Sequence, residues 1–97
     1  MRTELYTLFD DEVGRMKLEF LRRRVFVHYL AKASALRVAR RAITIWPEVM
    51  KICAQLGYRF TEALFPSDKG LEKLCKRVGF VLKVRENGLT YMRCRNA

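Results

Sequence analysis

Apolar positions along the chain change their spacing several times, and each change marks an element. Leu5-Tyr6-Thr7-Leu8-Phe9 is rich in strand formers. It is stopped by Asp10-Asp11-Glu12-Val13-Gly14, whose acids and glycine suit a turn. Met16-Lys17-Leu18-Glu19-Phe20 alternates apolar and polar, the period of a half-buried strand, so the two runs predict a hairpin with a loop of about five residues. Val25 to Ala31 is β-branched and aromatic, and apolar on both faces, which predicts a third and central strand.

Helical spacing begins after Ser34, a good N-cap. Leu36, Ala39, Ala42/Ile43 and Trp46 recur on one side, with Arg37, Arg40 and Arg41 on the other. Pro47 lacks the N–H a helix interior needs, so a kink or a new helix is expected there. Val49, Ile52, Cys53 and Leu56 continue the apolar stripe until Gly57 ends it. Arg59 to Phe65 reads as a fourth strand closed by Pro66. Ser67-Asp68 caps a short helix with the stripe Leu71, Leu74, Cys75 and Val78, ending at Gly79. Phe80 to Val84 and Leu89 to Cys94 flank Asn87-Gly88, the strongest hairpin signal in the chain. The order is β-β-β-α-β-α-β-β. It predicts an α+β fold with a mixed, mostly antiparallel sheet of about 5–6 strands and two main helices.

Ninety-seven residues suffice for one domain, expected to span 1–97, and a hydrophobic share of 51% can fill a core. No run approaches the length of apolar residues that spans a bilayer, and the N-terminal residues lack an apolar leader segment. A cytoplasmic rather than secreted protein is expected, with no membrane partner. Three cysteines and one histidine do not make a common zinc site, so no metal is expected, and an odd cysteine count suits free thiols in a reducing compartment. Lys and Arg number 20 against 10 acids, a net charge of +10. Such a field attracts polyanions: nucleic acid through non-specific charge, a nucleotide cofactor, or an acidic protein surface. Basic clusters fall at Arg22-Arg23-Arg24, Arg37/Arg40/Arg41, Lys69/Lys73/Lys76/Arg77 and Lys83/Arg85/Arg93/Arg95. Solvated faces of helices and strands explain the same clusters.

The segment Asp68-x-x-Leu71-x-x-Leu74-Cys75-Lys76-Arg77-x-Gly79-Phe80 resembles the late helix of the GNAT acyltransferase superfamily, which usually reads Asn-x-x-Ala-x-x-Leu-Tyr-x-x-x-Gly-Phe. The central strand, the long basic helix and the strand ending in Phe65-Pro66 precede it in the order that the C-terminal part of that fold requires. The layout is most similar to small phage-encoded members, which would place the protein in the host cytoplasm or the virion. The resemblance implies acetyl-CoA as cofactor and transfer of its acyl group to an amine. Backbone of Val27, Tyr29 and Leu30 would pair with the pantetheine arm. Lys32, Ser34 and Arg37, in and after the turn Ala31-Lys32-Ala33-Ser34-Ala35, would face the pyrophosphate, with Asp68 beside the same site.

Some residues depart from that pattern. No glycine lies between Gly14 and Gly57, although the family's phosphate loop is glycine-rich. Cys75 stands where the family's acid is a tyrosine. It could protonate the leaving thiolate, or pack as a small hydrophobe. His28 could act as base for the amine, since imidazoles titrate near neutrality, or serve as a hydrogen-bonded structural residue. The first strand and two helices of the family are missing, so a truncated or degenerate member is expected. Two alternatives stand beside acyl transfer. One is an inactive GNAT-fold assembly protein or host inhibitor that binds an acidic protein or itself. The other is sequence-independent nucleic-acid binding.

Overall fold

A computed structural model describes residues 4–32 and 34–96. Its elements are β1 (Glu4–Asp10), β2 (Gly14–Phe20), β3 (Val25–Ala31), α1 (Ala35–Gln55), β4 (Phe60–Pro66), α2 (Lys69–Val78), β5 (Phe80–Glu86) and β6 (Leu89–Arg95). This is the α+β order that the spacing predicts. The strands form one sheet in the order β1-β2-β3-β4-β6-β5, antiparallel throughout except between β3 and β4. β3 is therefore interior, and α1 and α2 are the crossings that bring the later strands alongside it.

Local chemistry sets the turns. The β1–β2 loop is only Asp11–Val13, shorter than the alternation suggested. The Asp11 carboxylate accepts the Val13 N–H at 2.9 Å, and the Asp11 N–H donates to the Gly14 carbonyl at 3.0 Å. Gly14 then opens β2 where there is no room for a side chain, since a Cβ would lie 2.6 Å from the Leu30 carbonyl oxygen. Asn87 and Gly88 both adopt positive φ, 52° and 76°, the backbone of a type I′ hairpin turn. Ser34 Oγ accepts the Arg37 N–H at 3.4 Å to cap α1, and Asp68 Oδ1 accepts the Leu71 N–H at 3.0 Å to cap α2. Gly57 and Gly79 follow the two helices at positive φ.

Strand register sorts side chains by face. Met16, Leu18, Val25, Ala63, Met92, Cys94 and Phe80 share one side of the sheet and are buried there under both helices. From α1 come Val38, Ala42, Trp46, Val49 and Cys53, with the Trp46 ring 5.3 Å from that of Phe80; from α2 comes Cys75. Two helical expectations are narrowed. Of the kink or new helix expected at Pro47, no new helix starts there: α1 runs through it as one helix, with Trp46 and Val49 anchored to the sheet on both sides of the missing N–H. Of the expected stripe Ala42, Trp46, Val49 and Cys53 are buried, while Leu36, Ile52 and Leu56 on its edge are exposed, and Val38 joins the buried line instead.

The opposite face carries Leu5, Leu30, Leu64, Val81, Val84 and Leu89, each 45–61% exposed. No helix of the described residues crosses it. The cysteines Cys53, Cys75 and Cys94 are buried free thiols. No helix of the described residues is long and apolar enough to cross a membrane.

Candidate functional site

β3 and β4 are in backbone register at one position, Phe26 opposite Glu62. Beyond it β3 stays paired to β2 as far as Ala31, while β4 stays paired to β6 as far as Pro66. The two parallel strands therefore part toward their C-terminal ends. At the C-terminal end of β3, against the starts of both helices, lies a cleft of about 600 Å³ lined by Tyr29, Leu30 and Ala31 of β3, Leu36 and Ala39 of α1, and Asp68, Leu71 and Leu74 at the start of α2. One edge of β3 from Val27 onward faces this opening without a strand partner. An extended chain carrying amides can pair with such an edge as an added strand would.

A three-residue network sits at the point of the fork. Glu62 is buried and takes Arg24 Nε at 2.8 Å, while Arg24 Nη2 and the Tyr91 hydroxyl donate to its other oxygen. The Arg24 guanidinium holds the Glu62 carboxyl below its ordinary range despite burial. None of the three stands in the sequence-based site. Glu62 had a visible signal, as the lone acid in the strand Phe60–Pro66. Its partners lie far along the chain and carried none.

The sequence-based candidates fall in two groups. Val27, Tyr29 and Leu30 lie on β3 at the fork, and Ser34 and Arg37 open α1 at its rim, with Asp68 across from them. The Arg37 amide is taken by Ser34 and the Asp68 carboxylate by its own cap, so those groups are engaged locally. Lys32 Nζ lies 2.8 Å from Asp10 Oδ1, and this ammonium holds the Asp10 carboxyl below the usual range. Ala33, in the middle of the expected phosphate turn, lies outside the described residues.

The two expected proton carriers separate. His28 points to the open face, where its Nε2 lies 2.9 Å from Glu19 Oε1. That contact leaves Nδ1 as a free acceptor when Nε2 carries the proton. Cys75 is 7% exposed in the core, and burial pushes its thiol up to about 12, with Cys94 and Glu72 adding to the rise. Cys75 is not among the residues that line the cleft. Tyr29 does line it, half-buried on the helix side of β3. Burial raises its phenol above the ordinary range, and Asp68 and Cys75 add to the rise. Among the described residues no three metal-ligating side chains converge.

No family model matches the chain, and no curated protein matches it in sequence. A solved structure does share the fold: a crystal structure from Agrobacterium tumefaciens, provisionally described as an acetyltransferase. The two superpose with a TM-score of 0.63 at 17% sequence identity, over 97% of this chain and 74% of that one. The arrangement of strands and helices is thus acetyltransferase-like.

Proposed function

We propose that the protein is an acyl-CoA-dependent N-acyltransferase with its donor site in the cleft at the C-terminal end of β3. The lone registered pair between β3 and β4, at Phe26 and Glu62, is the observation that carries this reading. It leaves the edge of Val27 to Ala31 free for the amides of a pantetheine arm, and the cleft walls of Leu36, Ala39, Leu71 and Leu74 suit an apolar thioester. The residues fit the donor at this edge. At the rim, Arg37 and Lys32 supply charge in place of a glycine-rich loop, and Lys32 would exchange Asp10 for phosphate.

Neighbouring positions of β3 turn to opposite sides of the sheet, His28 to the open face and Tyr29 to the cleft, so the two would flank an acyl group laid along this strand. The acceptor amine approaches from the open side and forms the C–N bond as the C–S bond breaks. His28 Nδ1 takes the amine proton, with Glu19 fixing the ring through Nε2. The departing sulfur takes a proton from the Tyr29 hydroxyl, which regains one from solvent.

A thermal-shift titration with acetyl-CoA tests the site. Ligand at one hundred times Kd stabilises a fold by about 2.7 kcal/mol, and Ala39→Trp, which fills the cleft, should abolish that shift. No stabilisation at millimolar ligand, or a shift that survives Ala39→Trp, would overturn the assignment. A second reading rests on the open face: its exposed leucines and valines suit an inactive assembly or inhibitor protein that docks a partner. Binding without turnover over a panel of amines would favour it.

A further inference from the structure

At the opposite end of the β3–β4 fork, three separate stretches of sequence bring arginines together. Arg22, Arg23 and Arg24 come from the β2–β3 turn, Arg59 precedes β4, and Arg93 comes from β6. They line a hollow of about 530 Å³ floored by Tyr58 and Phe60. The one carboxylate in its wall, Glu62, is consumed by Arg24. Arg22, Arg23 and Arg59 have no carboxylate partner among the described residues. The Arg93 guanidinium lies 4.0 Å from the Phe60 ring centroid and that of Arg24 lies 4.9 Å from Phe26, so flat surfaces and cations are stacked side by side. Arg95, opposite Phe60 in the register, extends the same basic row over the open face.

We infer that this hollow binds single-stranded nucleic acid, independently of any acyl transfer at the other end of the fork. Guanidinium groups present paired N–H donors that match phosphate oxygens, and a strand of nucleotides supplies several such anions in succession. Guanidinium planes stacked on half-buried rings give bases a surface to stack on, which an acidic peptide cannot use as well. The turn Arg22-Arg23 overhangs a second hollow on its outer side, so a strand could pass over the turn and keep its phosphates near arginines throughout.

Fluorescence anisotropy with a labelled oligothymidylate of about twenty nucleotides tests this. For three or four phosphates neutralised, log K should fall with log salt at a slope of roughly −2 to −3 between about 50 and about 200 mM. Arg22→Ala/Arg23→Ala, in an exposed turn, should flatten that slope by about 1.4 and weaken binding roughly tenfold or more. Arg59→Glu, on another wall, should weaken it comparably. Lys69→Ala/Lys73→Ala, the same charge change on exposed α2 positions, should alter affinity by less than about twofold. Equal losses in the α2 variant would mean diffuse charge and overturn the site. Displacement by polyglutamate as efficient as by unlabelled oligonucleotide would reassign the hollow to an acidic protein. Absence of binding at about 100 μM protein would overturn the inference outright. Circular dichroism of each variant excludes unfolding as the cause of a loss.

Discussion

Glu62 is the side chain on which the two halves of the sheet meet, and its partners differ in exposure. The Arg24 side chain is 56% exposed and Glu62 only 8%, so removing each leaves a different orphan. Arg24→Ala strands a buried carboxylate with Tyr91 alone and should cost about 2–3 kcal/mol in urea denaturation, against about 1 for Glu62→Gln. The pH dependence follows from the lowered carboxyl. Its stabilisation is complete above the unfolded glutamate value of about 4.3 and is lost as pH falls through the lower folded value. The gap between wild type and Arg24→Ala should therefore narrow as pH drops from about 6 to about 3. Chemistry at the cleft divides just as sharply. Tyr29→Phe should lower kcat by roughly a hundredfold, whereas Cys75→Ala should leave turnover within about twofold while costing stability by leaving a small cavity in the core. Steady-state rates on the two variants decide which group serves the leaving sulfur.

Among the elements, α1 shows how far periodicity carries and where it stops. Its start at Ser34 and its end before Gly57 follow from capping chemistry that reads directly from residue type. Its buried stripe does so only in part. Ala42, Trp46, Val49 and Cys53 are read correctly, but whether Leu36 or Val38 flanks them in the core is decided only by the sheet beneath. Burial likewise overrides the local signal at Pro47. Pro47→Ala restores an N–H to the Ile43 carbonyl and should raise stability by about 1–3 kcal/mol, read as a higher Tm. Gly14→Ala should act the other way. A Cβ 2.6 Å from the Leu30 oxygen forces β2 and β3 apart and should cost about 1–3 kcal/mol. Because Leu30 lines the cleft, the same change should weaken acetyl-CoA binding in a calorimetric titration.

For the molecule as a whole, element order and the interior place of β3 were legible because turn residues and alternation are local. The fork, the Glu62 network and the arginine hollow were not, because each joins residues brought together only by the crossovers: 38 positions separate Arg24 from Glu62 and 29 separate Tyr91 from it. Open-face hydrophobics were hidden for a related reason, since alternation shows two faces without saying which one helices will cover. Leu64→Lys/Val81→Lys on that face should change stability by less than about 1 kcal/mol yet reduce self-association in analytical ultracentrifugation. The lone registered pair between β3 and β4 also divides the protein mechanically. The meander β1–β2–β3 and the triplet β4–β6–β5 each have continuous internal pairing, and the seam between them has one registered backbone pair, a salt bridge, side-chain packing and the bridging helices. Pulled across that line, the sheet would unzip there long before either half tears, so whatever occupies the fork also serves as the missing stitch.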